Sequence, residues 1–407
     1  MPLRIAMLSV HSCPVGKLGG ESTGGMSVYI RELARELGKQ GHSVDVYTRA
    51  HEPVDDQIIE LGRNARLIHL KAGEDEEMDK LDIYPHLADF ACELENFRKR
   101  NGLQYDLIHS HYWLSGLVGK WIQPQWNVPH IIMFHTLGAV KNAIGIGEAE
   151  PELRINAEKK LGKECHCVIA ATEKEKEGLI HHYGVSGKTI CVIPCGVNLG
   201  LFRPINREMA RCHLGFNHKS IVLFVGRIDP LKGIDKLLTA MTYLENKQRP
   251  ELVVIGGDEH SQTEVERLKD LSQSLQVHDS VTFLGLVRQE MLPYFYSAAD
   301  LCVVPSYYES FGLVAFESLA CGTPVVATRV GGIGGVIRQG ETGYVVMDNT
   351  PHRLAEKIAL LLSMSNPKPQ SSSSVRASVT RFSWSNIAEA ISKQYRTVLR
   401  DYFTRTY

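Results

Sequence analysis

Apolar residues along this chain arrive in short unbroken runs, separated by stretches in which they recur every three or four positions. RIAMLSV (4–10), SVDVYTR (43–49), RLIHL (66–70), DLIHSH (106–111), HIIMFH (130–135), CVIAAT (167–172) and TICVIP (189–194) read as buried strands. MSVYIRELARELGKQG (26–41), ELRINAEKKLGKEC (152–165) and EKEKEGLIHHYG (173–184) read as helices, the first closed by Gly41. The pattern pauses at PCGVNLGLFRP (194–204), whose Pro and Gly density suits a linker. It resumes with SIVLFVGR (220–227), LVVIGG (252–257), SVTFLG (280–285), LCVVPS (301–306) and PVVATR (324–329). A last helical pattern, FSWSNIAEAISKQYRTVLRDYF (382–403), follows the low-complexity stretch SMSNPKPQSSSS (363–374), which is expected to be a surface loop.

Continuous apolar strands alternating with helices mark parallel sheets covered on both faces. Two such runs, neither long enough for a barrel, predict an α/β protein of two doubly wound, Rossmann-like domains. The expected boundaries are 1–196 and 197–385. Ligands in such folds bind outside the carboxyl ends of the strands, so a cleft between facing domains is the expected site.

Composition narrows the function. The chain has 407 residues with 45 Lys+Arg against 46 Asp+Glu, a net charge of −1, which argues against a nucleic-acid binder. No run approaches the roughly 18 apolar residues of a membrane span. Nine Cys at irregular spacing point to reduced thiols and a cytoplasmic protein. Cys165-His166-Cys167 and Cys191/Cys195 lack the paired spacing of a zinc site, so no metal is expected. Trp113, Trp121 and Trp126 are expected to be packing residues, and His109, His111 and His181-His182 structural.

Three motifs carry chemistry. Gly16, Gly19, Gly20, Gly24 and Gly25 crowd the connection from the first strand to the first helix. The spacing is not that of a dinucleotide fingerprint, yet a Gly-Gly pair before a helix exposes N–H groups to an anion or sugar. GRIDPLKG (226–233) puts Arg227 and Lys232 at the carboxyl end of a strand, where two cations can hold a diphosphate. In SYYESFGLVAFESLACGTP (306–324), Glu309 precedes a helix starting near Gly312, and Glu317 lies within it. The N–H groups around Gly312, Leu313 and Val314 are free donors for phosphate, with carboxylates on either side to accept from sugar hydroxyls. Carboxylates beside a phosphate-binding helix end make poor hydrolytic acids, which ranks a glycosidase low.

VGRIDPLKG, PSYYESFGLVAFESLACGTPVVATRVGG and FSWSNIAEAISKQY together resemble the retaining glycosyltransferases of family 4, with the two-domain GT-B fold. That resemblance implies that residues 386–407 return to the N-terminal, acceptor-binding domain, and that the second domain binds a nucleotide sugar. The N-terminal half, through VHSCPVGKLGGESTGGMSVYI, IHSHYWLSGLVGK, FHTLGAVKN and EPELRINAEKKL, is similar to the inositol-phosphate branch of that family, with the sucrose-phosphate synthases as near relatives. Position by position, it implies donor contacts at Gly24, Gly25, Arg227, Lys232, Arg288, Glu309, Ser310, Phe311, Gly312, Leu313, Val314 and Glu317. It implies acceptor contacts at His11, Ser22, Thr23, Gly25, Met26, Ser27, Lys80, Tyr112, Thr136 and Arg154. Arg227, Lys232, Glu309 and His135 are the implied catalytic set, with His135 near the transferred sugar. Ser22 and Ser27 replace an Asp and an Asn of the inositol branch, while Met26 and Asn156 replace a Gln and an Arg of the synthases.

The expected activity is retaining transfer of a hexosyl group, glucose or N-acetylglucosamine, from a UDP-linked donor to a phosphorylated polyol or sugar such as inositol phosphate. No cofactor is expected beyond the nucleotide sugar, and a homodimer is left open. Competing readings are transfer to fructose 6-phosphate, a nucleotide-sugar epimerase that turns over donor without acceptor, and a regulatory protein that kept only the donor site.

Overall fold

The computed structural model describes residues 2–16, 24–52, 56–74, 78–217, 219–244, 249–258, 261–363 and 372–406. The described residues divide into two units, the first comprising 2–16, 24–194 and 384–406, the second 195–383. Among the described residues, no helix is long and apolar enough to cross a membrane.

The first unit is built on an eight-stranded sheet. Its strands are β1 (Arg4–Leu8), β2 (Ser43–Arg49), β3 (Ile58–Gly62), β4 (Ala65–Leu70), β5 (Leu107–His111), β6 (His130–Met133), β7 (Cys167–Ala170) and β8 (Ile190–Val192), in the spatial order β3-β4-β2-β1-β5-β6-β7-β8. All neighbours run parallel except β3, which pairs antiparallel with β4 at the edge. The apolar runs explain this: Ile5, Ala6, Met7 and Leu8 are all fully buried, as a strand covered on both faces requires. Strand β3 was not expected from the sequence, because its IIELG carries only a short, half-exposed pattern typical of an edge.

Helices α1 (Gly25–Lys39), α2 (Tyr112–Trp126), α3 (Glu152–Glu164) and α4 (Glu173–Tyr183) cover this sheet. Helix α4 starts where the Thr172 side chain accepts from the Glu175 N–H, and stops at Gly184. Trp113 fills the core and Trp126 stacks on Tyr105, but Trp121 is 44% exposed, contrary to the packing role expected for it. It lies on the outward face of α2, where periodicity leaves a large side chain in solvent.

The second unit has six strands, β9 (Ile221–Val225), β10 (Glu251–Ile255), β11 (Val281–Gly285), β12 (Leu301–Val304), β13 (Val325–Thr328) and β14 (Gly343–Val346), ordered β11-β10-β9-β12-β13-β14 and all parallel. Strand β14 was also unforeseen, since GYVV is short and lies behind the glycine-rich stretch 331–343. Helix α5 (Ile234–Met241) follows β9, and α6 (Leu313–Ala320) follows β12. Most of the low-complexity stretch lies outside the described residues; Ser363 ends one helix, and Ser372–Ala377 form another.

The final helix, α7 (Trp384–Thr406), belongs to the first unit. Ile387, Ala388, Ile391, Tyr395 and Val398 are buried at helical spacing. Trp384 meets the Tyr29 ring edge-on at 5.2 Å, and the His42 Nε2 lies 2.9 Å from the Ser392 hydroxyl.

Candidate functional site

Each sheet has one place where its strand order reverses direction. In the first unit this is between β1 and β5, and in the second between β9 and β12. Loops that leave adjacent strands toward opposite faces open a crevice there, the usual ligand seat of a doubly wound fold. Most of the side chains singled out from the sequence leave the carboxyl ends of these strands or of their neighbours.

In the second unit, β9 runs into Gly226-Arg227, an Asp229 side chain that caps the Leu231 N–H, and a single 3₁₀ turn, Pro230–Lys232. Gly233 then takes φ 67°, and a Cβ there would lie 2.3 Å from the Pro305 carbonyl. That close approach brings the turn against the loop after β12. The Lys232 ammonium donates to Glu309 Oε1 at 2.6 Å, and the Ser306 hydroxyl donates to the same oxygen at 2.9 Å. Glu309 Oε2 makes no bond among the described residues. Arg227 is exposed, 3.8 Å from Asp229.

Gly312, with φ 94°, opens α6, and no side chain caps that helix. The Leu313 and Val314 N–H groups are therefore left to an outside acceptor, with the positive end of the helix dipole behind them, while the Ala315 N–H donates to the Gly312 carbonyl at 3.0 Å. Ser310, Leu313 and Val314 line this end half-buried, while Phe311 is buried and stacks on Phe316 at 4.4 Å. Glu317 is only 8% exposed and accepts from the Tyr296 hydroxyl at 2.8 Å. Burial pushes its pKa up to about 7, partly offset by that bond. Arg288 is exposed, just beyond β11.

In the first unit, Ser22 and Thr23 lie outside the described residues. Gly24 precedes α1, whose start has no side-chain cap; Gly25 is exposed and Met26 half-buried against the core. Ser27, expected among the acceptor contacts, is fully buried, with its hydroxyl 2.6 Å from that of Ser12. The helical period turns this position inward, one step past the exposed end.

Tyr112 and His135, just past β5 and β6, have φ of 74° and 63°. Bulky residues in this left-handed region carry strain that the surroundings must hold in place, and such residues concentrate at sites. His135 therefore cannot continue the strand expected over 130–135, which ends at Met133. The His11 and Tyr112 ring centroids lie 4.4 Å apart, and the Arg154 guanidinium stands 4.8 Å from the centroid of the same Tyr112 ring. Arg154 Nη2 donates to the Thr136 carbonyl and hydroxyl at 2.9 and 2.8 Å. Burial lowers the His11 pKa well below its usual value, and the Lys80 and Arg154 cations lower it further. The structure thus gathers His11, Lys80, Tyr112, Thr136 and Arg154.

Two acidic residues escaped the sequence reading. Arg154 is 2% exposed, and its Nε and Nη1 donate to Glu158 and Glu150, each at 2.7 Å. Glu158 is fully buried, accepting also from the Gly138 N–H and from the Tyr183 hydroxyl. Glu150 pairs in addition with Lys141. Glu150, Arg154 and Glu158 recur every four residues, a spacing legible in the sequence as a charge ladder. Among the described residues, no group of three or more His, Cys, Asp or Glu is arranged to hold a metal.

Residues 23–201 match the family model described as Glycosyltransferase Family 4, and residues 207–375 that described as Glycosyl transferases group 1. The chain is 38% identical over 404 residues to the D-inositol 3-phosphate glycosyltransferase of Corynebacterium diphtheriae, covering 97% of this chain and 95% of that one. It is likewise 38% identical to D-inositol 3-phosphate glycosyltransferase 2 of Catenulispora acidiphila, covering 98% and 96%. The sucrose-phosphate synthase of Thermosynechococcus elongatus superposes with a TM-score of 0.90 at 36% identity, covering 98% of this chain and all of that one. An Anabaena protein, HepE, solved with UDP and glucose, shares the fold at a TM-score of 0.76 and 19% identity, covering 96% and 99%. With full-length relatives above one-third identity and two sheets of the expected topology, the chain belongs to glycosyltransferase family 4 and is a glycosyltransferase of the GT-B architecture.

Proposed function

We propose that this protein transfers a hexosyl group from a nucleotide diphosphate sugar, UDP-linked, to a phosphorylated polyol or sugar, with retention of configuration. The observation that carries the donor half is the Lys232–Glu309 pair beside the uncapped start of α6, at the point where the second sheet reverses. Lys232, Arg227 and the N–H groups at Gly312, Leu313 and Val314 stabilise the departing diphosphate, and the free oxygen of Glu309 accepts from a sugar hydroxyl. The bond from the anomeric carbon to the diphosphate oxygen breaks, and a new one forms to the acceptor oxygen on the same face. The acceptor proton passes to the leaving diphosphate.

The acceptor half rests on Lys80, Tyr112, Thr136 and Arg154, a set of cations and hydroxyls suited to a phosphate. His11, Gly24, Gly25 and Met26 complete the walls, and His135 faces the transferred sugar. Similarity to the two D-inositol 3-phosphate glycosyltransferases supports inositol phosphate as the first acceptor to try. Transfer to fructose 6-phosphate is the second reading, favoured by the 0.90 superposition on a sucrose-phosphate synthase.

A donor-by-acceptor screen tests both. UDP-glucose and UDP-N-acetylglucosamine are combined with inositol phosphate, fructose 6-phosphate and buffer alone, with UDP release and product mass as readouts. Turnover with one phosphorylated acceptor supports the proposal, and the acceptor decides between the two readings. Donor turnover in buffer alone, with a new sugar epimer, would establish the epimerase alternative instead.

A further inference from the structure

Strand β5 ends in two histidines one residue apart, and neither behaves as a simple core filler. His109 and His111 are fully buried on one face of the strand, with ring centroids 4.2 Å apart. His109 Nδ1 lies 2.7 Å from the Tyr395 hydroxyl on α7, and His111 Nδ1 lies 2.9 Å from His135 Nε2. Both Nε2 atoms are buried without a hydrogen-bond partner among the described residues. Leaving a buried polar atom unpaired costs about 1–3 kcal/mol, so the arrangement calls for a reason beyond packing.

Burial holds His109, His111 and His135 far below the usual imidazole pKa, so each is neutral and carries one N–H. The His111–His135 bond can then be made in two ways. If His135 donates, the proton of His111 must sit on Nε2, stranded in the core with no acceptor. If His111 donates, the core holds only a bare imine nitrogen. Among buried backbone groups, orphaned N–H donors are rarer than under-satisfied acceptors, and we take the imidazole nitrogens to follow the same order.

We infer that His111 donates its Nδ1–H to His135 Nε2 and so fixes His135 as the Nδ1–H tautomer, which presents a hydrogen-bond donor to the oxygen of a bound ligand. His111 is thus a positioning residue for His135. The Tyr29 ring, edge-on to His135 at 5.1 Å, braces the imidazole from another side. This inference rests on the proposed placement of His135 beside the transferred sugar.

Protein labelled with ¹⁵N at histidine tests the inference directly, through long-range proton–nitrogen correlations of the His135 ring. The expected result is an imine-type Nε2 and a protonated Nδ1 in the wild type; a protonated Nε2 overturns the inference without any variant. In His111→Leu, kcat should fall by roughly tenfold or more, since loss of tautomer control in a catalytic histidine is costly, with both KM values within about twofold. His111→Asn, whose side-chain amide can reach the position of Nδ1, should recover most of that loss. A folded His111→Leu with wild-type kcat overturns the inference while leaving the function reading intact. Wild-type turnover in His135→Ala removes the placement of His135 beside the transferred sugar on which the inference rests.

Discussion

Lys232 and Glu309, separated by 77 positions in the chain, meet at 2.6 Å where β9 and β12 deliver their loops. Their side chains are 18% and 15% exposed, so each is shielded but still reachable by a ligand. The pair holds one oxygen of Glu309 and leaves the other open, while the ammonium keeps two further protons to donate.

Lys232→Ala should therefore lower transfer by about 10²–10³-fold, the loss typical of removing one electrostatic stabiliser of a developing anion. The fold should persist, because the Lys232 ammonium meets Glu309 and solvent and packs into neither core. Parallel measurement of kcat/KM and of the melting temperature checks both halves. A near-normal rate in a folded variant would remove Lys232 from the mechanism.

Arg154 is less open than its expected phosphate role suggests, because Glu150 and Glu158 already share its guanidinium. An anionic acceptor must compete with Glu150, the more exposed of the two. Glu150→Gln should lower the acceptor KM severalfold, matching the roughly 1 kcal/mol scale of a partly exposed ion pair, with donor KM unchanged. Arg154→Ala, by contrast, strands Glu158 in the core. It should destabilise the first unit by about 3–5 kcal/mol, visible as a lowered denaturation midpoint. Lys80→Ala is the cleaner probe of phosphate binding and should raise only the acceptor KM.

Gly312 has φ 94°, and a Cβ there would lie 2.5 Å from the buried Ile333 Cγ1. Gly312→Ala should cost about 1–3 kcal/mol in backbone strain and shift the start of α6. Thermal melts with and without UDP test this, with a reduced ligand-induced rise in melting temperature as the expected outcome. An unchanged rise would separate α6 from diphosphate binding.

The two units should respond oppositely to acid. Burial depresses the pKa of His11, His109, His111, His130 and His135, all in the first unit. Unfolded, these imidazoles titrate near 6.5, so the unfolded chain binds more protons. The stability they confer is complete above about pH 6.5 and is lost as pH falls. Glu175 in the first unit and Glu317 in the second are raised to about 7 by burial. Each contributes the reverse, with stability present at low pH and lost as pH rises from about 4.5 to 7. In the first unit the histidines outnumber the one raised carboxyl, so it should unfold first between pH 6.5 and 4. All four tryptophans, Trp113, Trp121, Trp126 and Trp384, belong to that unit, so their fluorescence reports it alone. A tryptophan signal flat to pH 4 would contradict this.

Much of this protein was legible in the residue order. Strands such as 43–49 and helices such as 173–183 follow from alternation, periodicity and capping, which act between neighbours in the chain. The family motifs pointed to the Gly312 helix start and to Lys232 and Glu309 individually, and the four-residue ladder Glu150-Arg154-Glu158 was there to be read. Sequence could not decide that Lys232 and Glu309 share a bond, that Ser27 turns into the core, or that His135 leaves its strand in a left-handed conformation beside His111. These depend on which strands lie side by side and how closely their loops approach. Strand order and burial are set by the packing of the whole sheet, not by the dihedral preferences of any one segment.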